Sequence, residues 1–435
     1  MTETAPRPLP RPSILRHPIL GRMTALIPSE PAAHRIALVC TLALGPMLLA
    51  GRAPADALIS LTGLLFLITR RRNGWGFVAR PWHALALAFW VWQIGVSILR
   101  GDGHQIIESI VLIRLFVFLA ALEIWVLERA EARRWFGWMM LATALWIGIE
   151  CWQQYLTGFN IFGEGRWNDG SLTGPIFKPR IGPTWVFLAF PAFLPWLIPL
   201  LSRSGRWARG AGAAGIVAMA LTQVLIGQRM PTLLMLFGLV VAGLFVPRLR
   251  RPVAIAILAG AALAALARFV SPPTYHKLVV HFGRQMAHFM ATQYAQLFGR
   301  ALAMIAAHPW FGLGFDGFRD HCLDRIYYHN VAWFPVLDPA SPLGCSIHPH
   351  NYYLQVATGA GLPGLALFAL LGLAWLWRLG RGAGAAPRRI GPFIACAIVL
   401  WPIASTTSFF TLPNTGWILL AIGWGLAEAR PLPEA

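Results

Sequence analysis

Apolar residues fall along this chain in uncharged blocks of about 16–22 positions, close to the roughly 20 residues that cross a bilayer core as a helix. The blocks lie at about 36–51, 55–69, 83–99, 106–127, 135–155, 183–201, 211–227, 231–247, 253–270, 351–377, 390–408 and 414–429. They predict an all-α integral membrane protein of about twelve transmembrane helices, the second and seventh short enough to leave their count open. The polar linkers alternate in charge. Arg70, Arg71 and Arg72, then Arg129, Arg133 and Arg134, then Arg203, Arg206 and Arg209 fall on one side. Arg248, Arg250 and Arg251, and Arg378, Arg381, Arg388 and Arg389, fall on that side too. Basic linkers stay in the cytoplasm, so both termini are expected there.

This divides the chain into a disordered cytoplasmic leader (1–35), nine helices (36–270), a periplasmic loop domain (271–350), three more helices (351–429) and a cytoplasmic tail (430–435). A second long outward linker runs from Thr157 to Pro183. Within the larger loop, Met286, Met290, Tyr294, Leu297, Ala301 and Ile305 return on one helical face, predicting an amphipathic helix on the membrane surface or against the bundle.

Composition sharpens the picture. With 57% hydrophobic and 12% charged residues and a mean hydropathy of +0.59, the chain lacks the charged surface of a soluble domain. The net charge of +19 resides in the short linkers. A nucleic-acid protein would gather it on a soluble face with aromatic stacking partners, so nucleic acid is not an expected partner. The Pro- and Arg-rich start lacks the apolar run and cleavage site of a signal peptide.

Cys40, Cys151 and Cys396 lie in apolar blocks and read as packed small hydrophobes, whereas Cys322 and Cys345 share the outward loop. In an oxidising periplasm they can form a bridge closing about 22 residues, worth on the order of 3 kcal/mol. The alternative is two free buried thiols.

The densest polar cluster, Cys345-Ser346-Ile347-His348-Pro349-His350-Asn351, stands where the long loop returns to the membrane. A histidine there can take a proton near neutral pH, or merely cap and pack. Chelation by His348 and His350 would need recruits such as Asp316, Asp320 or His321, and no metal-binding spacing supports it. Arg229, in the outward turn Gly227-Gln228-Arg229-Met230-Pro231, either snorkels to lipid phosphate or clamps a phosphorylated lipid. Lys178 and Arg180 add outward cations, and Arg114 sits inside an apolar block, where an ionised group is rarely idle. Glu108 and Glu123 are its nearest acidic candidates, at neither i±3 nor i±4.

Here the pattern resembles the O-antigen ligases and related lipid-linked oligosaccharide polymerases. His350-Asn351, nine residues, Gly361, two residues and Gly364 fit that family's signature at every fixed position. The run His308–Gly314, preceded by Arg300, is similar; so are the glycine-flanked Arg229 turn and Leu172–Phe177, which carries Ile176 as an extra residue before the Phe. The resemblance spans roughly 150–375 and the twelve-span layout. It implies a membrane-embedded glycosyltransferase of the C type that takes a glycan from undecaprenyl pyrophosphate on the periplasmic face of a bacterial inner membrane, with no cofactor, metal or nucleotide sugar. His350 carries over as the base on the acceptor hydroxyl. Arg229 and Arg300 carry over as the cations that neutralise the departing pyrophosphate, with Arg284 a competing choice in the same loop. Lys178, Arg180, Asn351 and Arg114 join them as candidate substrate contacts.

The acceptor stays open: lipid A–core for a ligase, a second lipid-linked glycan for a polymerase, or a protein. A transporter of the same lipid would place its charges near the midplane on broken, repeated helices. Here the polar cluster lies at one face.

Overall fold

The computed structural model describes residues 30–176, 181–270, 272–331, 333–335, 344–403 and 408–430. Each of the twelve apolar blocks overlaps a helix, and eight of the described helices are long and apolar enough to cross a membrane. In chain order the long elements are α1 (Glu30–Ala50), α2 (Arg52–Asn73), α3 (Pro81–Arg100), α4 (Gly103–Val111), α5 (Ile113–Ala121), α6 (Ala130–Thr157), α7 (Ile181–Leu201), α8 (Arg206–Ile226), α9 (Arg229–Phe245) and α10 (Arg250–Val270). Then come the short α11 (Pro272–Tyr275) and α12 (Phe282–Ala287), α13 (Gln293–Ala307), the short α14 (Gly317–His321), α15 (Tyr352–Gly380), α16 (Pro387–Val399) and α17 (Asn414–Glu428). Among the described residues strand pairing is limited to isolated bridges.

The fourth and eleventh blocks differ from their expected form. The fourth is broken into α4, α5 and a π turn at Leu122–Val126. The eleventh stops at Val399, because Pro402 cannot continue a helix and the chain turns back toward α15. There the Tyr353 hydroxyl donates to the Leu400 carbonyl at 2.6 Å and the Asn351 amide to that of Pro402 at 2.8 Å.

At the centre stands α17, buried from Asn414 to Ala427 and filled by Trp417 and Trp424. Beside it α7 and α16 press backbone against backbone, since a Cβ on Gly391 would stand 2.5 Å from the Phe190 carbonyl oxygen. Membrane helices gain little from hydrophobicity between themselves, so such close approach supplies their cohesion. Cys40, Cys151 and Cys396 are free and buried.

The amphipathic helix of the outer segment is shorter than its periodicity predicts. Thr292 caps it by accepting from the Ala295 N–H, so it starts at Gln293. Met286 and Met290 fall on separate, exposed turns. The remaining face, with Leu297 and Ala301 fully buried, packs on α15.

Candidate active site

Two separate sequence motifs turn out to be one structural unit. The run His308–Gly314 lies along α15, where the Leu313 and Gly314 N–H groups donate to the Thr358 and Gly359 carbonyls at 2.9 and 3.0 Å. In return the Leu362 N–H donates to the Pro309 carbonyl at 2.7 Å. This lacing requires a break in α15, and Gly361 supplies it at φ +68. A Cβ there would stand 2.3 Å from the Trp310 carbonyl oxygen, and one on Gly312 would stand 2.7 Å from the Gly361 nitrogen. Only glycine fits either position. The Ala360 carbonyl at the break is taken by the Trp92 indole N–H at 2.8 Å, from α3. The spacing of the histidine signature thus measures from the start of α15 to its docking notch.

At that start, His350 holds a left-handed backbone (φ 51), uncommon for a residue with a side chain and found where surrounding structure enforces it. Its ring meets Tyr294 of α13 edge-on at 5.5 Å between centroids and lies 4.5 Å from the ring of the buried His348. Asn351 is the cap of α15. Its side-chain oxygen accepts from the Tyr353 and Leu354 N–H groups at 2.9 and 3.1 Å while its amide holds Pro402. Both ends of the Asn351 amide are thus engaged with backbone, as suits a helix cap.

Cys322 and Cys345 are joined, their Cα atoms 5.1 Å apart. Beneath them Arg300, 5% exposed, donates to the Cys322 carbonyl at 2.6 Å, lies 3.2 Å over the Tyr328 ring and backs on Gly344. A guanidinium so enclosed braces the loop. Arg284 on α12 is exposed.

Arg229 stands elsewhere, at the N-terminus of α9, hydrogen-bonded to Gln285 of α12. It closes one end of an apolar groove of about 250 Å³ between α8, α9 and α10, roofed by Leu278, Val279 and Phe282. Near it Lys277 pairs with Asp169 and Ser171. Burial, with Arg229 adding repulsion, pulls the Lys277 ammonium below its ordinary range although Asp169 opposes this. Burial alone would raise the Asp169 carboxyl, but the Lys277 and Ser171 hydrogen bonds hold it below its usual value. The Leu172 N–H donates to the Ile226 carbonyl at 3.1 Å, so the second outward linker also docks at the Arg229 turn. Gln154 spans Thr173 and Gly174 to keep it there.

Lys178 and Arg180 lie outside the described residues. Arg114 pairs with Asp56 of α2 at 2.8 Å and donates to the Val111 carbonyl, so this arginine fastens α5 to α2. Among the described residues no cluster of three or more His, Cys, Asp or Glu side chains is arranged to hold a metal ion.

Residues 214–369 match the family model for the O-antigen ligases. No curated protein matches the chain. The matched stretch takes in the Arg229 turn, the residues lining the apolar groove, the outer segment and the laced start of α15. Arg114 and Leu172–Phe177 lie outside it. Three residues of this region escaped the sequence reading. Lys277 is an unremarkable lysine until folding sets it beside Arg229, and Gln285 carries no charge to flag it. Tyr294 was placed on a helical face, but its contact with His350 needs α13 and the start of α15 side by side. No local spacing announces any of the three.

Proposed function

We propose that the chain is an O-antigen ligase, moving a glycan from undecaprenyl pyrophosphate to lipid A–core on the periplasmic face of a bacterial inner membrane. It would cross that membrane twelve times, in the manner of a C-type glycosyltransferase, with both termini in the cytoplasm and the outer segment in the periplasm. The observation that carries the reading is the groove headed by Arg229. An apolar slot ending in a guanidinium, with Lys277 close by, suits a ligand that is hydrocarbon at one end and phosphate at the other.

In this reading the polyprenyl tail lies against α8–α10 and the pyrophosphate meets Arg229. His350 takes the proton from the acceptor hydroxyl as its oxygen bonds to the anomeric carbon. The bond from that carbon to the pyrophosphate oxygen breaks, and its electron pair departs with undecaprenyl pyrophosphate. Fixed cations stabilise the charge that develops there. A single displacement inverts the anomeric carbon. Arg300 takes a positioning role, holding the bridged loop that leads to His350.

Lipopolysaccharide from a deletion strain separates the ligase from a polymerase. Loss of the whole glycan ladder with lipid-linked polymer accumulating is the expected result. Core carrying a single repeat would make the chain a polymerase instead.

A further inference from the structure

A second cavity, distinct from the apolar groove, opens beside His348. It measures about 200 Å³, and Arg52, Asp316, Arg319, His348, Thr411 and Asn414 contribute to its wall. They come from three stretches far apart in sequence: the start of α2, the outer segment and the turn into α17. A carboxylate, two guanidiniums, an amide and a hydroxyl around one small space match a ligand that both donates and accepts hydrogen bonds. The groove at Arg229 is apolar over nearly its whole length, so the two spaces suit different chemistries.

Asp316 is the unusual member. Its backbone is left-handed (φ 56), and its side chain makes no capping bond to α14 although it stands at the cap position. The backbone geometry is maintained by its neighbours: the Gly317 N–H donates to Gly314 at 3.0 Å and the Arg319 N–H to the Asp316 carbonyl at 2.8 Å. Its carboxylate lies 4.0 Å from Arg319. Burial, then repulsion from Glu108 and Asp320, pushes the carboxyl up to about 6 against the pull of Arg319 and His104. Backbone held in a sparsely populated region and a carboxyl perturbed by burial both cluster at functional sites.

We propose that this cavity is the acceptor subsite, binding the sugar headgroup of the acceptor glycolipid through Asp316, with Arg52 and Asn414 completing the contacts. The inference rests on the transferase reading of His350. His348 forms part of the cavity wall and its ring is 4.5 Å from that of His350. A sugar anchored here therefore lies against His348, whose ring adjoins that of the proposed base, and the cavity shares no lining residue with the donor groove.

The test uses the full-length protein carrying Thr411→Cys. The native cysteines are buried or bridged, so a maleimide reads the introduced thiol. Three probes are offered: lipopolysaccharide bearing core but no O-antigen, undecaprenyl-pyrophosphate oligosaccharide, and undecaprenyl pyrophosphate without sugar. Protection by a sugar-bearing probe and not by the bare lipid is expected, the core or the oligosaccharide arm naming the acceptor. Asp316→Asn, which keeps shape and tolerates the left-handed backbone, should raise the protecting concentration and the acceptor KM roughly tenfold, the scale of one hydrogen bond to a charged group, with kcat little changed. Arg229→Ala should leave protection intact. Equal protection by the bare lipid, loss of protection in Arg229→Ala, or an unchanged protecting concentration in Asp316→Asn would each overturn the assignment. Failure of the wild type to transfer glycan to either acceptor would instead sink the transferase reading, because protection is read without turnover.

Discussion

The two halves of the outer segment are built in opposite ways. From His276 to Ala291 the helical turns bury no residue among themselves, and the stretch is held by polar side chains at its margins: Lys277 to Asp169 and Ser171, Gln285 to Arg229. From Gln293 onward the chain has a core of its own, with Leu297, Ala301, Met304, Phe318 and Tyr327 packed around the Cys322–Cys345 bridge. That half is also laced to α15 by three backbone hydrogen bonds. The difference fits a division of labour. A segment with few buried contacts opens at low cost, as the roof of a groove must if a long lipid is to enter. A general base needs the reverse, a ring held in one place relative to the bond being made.

Substitutions can break this comparison from either side. The largest loss is expected at His350. Changing it to Ala should cut transfer by about 10²–10⁴-fold, the usual span for a general base, with expression unaltered. His348→Ala should be milder. Transfer by the wild type should also decline as pH falls, since a protonated imidazole cannot accept, and a rate flat through the acidic range would count against the base. Next comes Arg229→Ala, expected to cost about 10²-fold, as when a donor to transition-state charge is removed. Arg229→Lys should recover only part, because an ammonium lacks the planar two-point contact.

A smaller and different effect is expected at Arg300. Its bond to the Cys322 carbonyl and its place over Tyr328 make it a brace, so Arg300→Ala should destabilise the loop by about 1.5–3 kcal/mol and slow transfer through a misplaced His350. The loss should shrink on cooling, and thermal unfolding in detergent should fall in step. Exposed Arg284→Ala should change little. If Arg284→Ala abolishes transfer while Arg300→Ala keeps it, the cations of the loop have been assigned the wrong way round.

The smallest effect is a slope. Burial raises the Asp316 carboxyl to about 6, so between its unfolded range near 4 and about 6 the folded protein binds the extra proton. Stability contributed by this group therefore falls as pH rises through that window. Asp316→Asn should flatten that part of the melting-temperature profile. An unchanged slope would mean the carboxyl is not perturbed.

Much of this architecture was legible beforehand, for reasons particular residues make plain. The apolar blocks announce helices because a bilayer leaves the backbone no other partners than its own, and the paired cysteines stand alone in their loop. The block at 390–408 misled because apolar composition does not register Pro402 or the side chains that take the carbonyls around it. The six-residue face beginning at Met286 kept a helical period straight through the Thr292 cap, which ends one element and starts another. Asn351 and Arg300 stand within recognisable motifs, yet a motif records only that a residue matters. Capping a helix and bracing a loop satisfy it as well as touching a substrate. Arg114 found Asp56, fifty-eight positions away on a neighbouring helix, a partner that no spacing on its own helix reveals.

The division of labour is tested most directly by measuring donor binding apart from turnover. Purified full-length protein would be titrated with undecaprenyl-pyrophosphate oligosaccharide for the wild type, Arg229→Ala and His350→Ala, and single-turnover transfer measured on the same preparations. The account predicts that Arg229→Ala weakens donor binding, whereas His350→Ala binds donor as the wild type does and fails to transfer it. Donor binding lost equally in both variants, or a His350→Ala protein that transfers at nearly the wild-type rate, would contradict it.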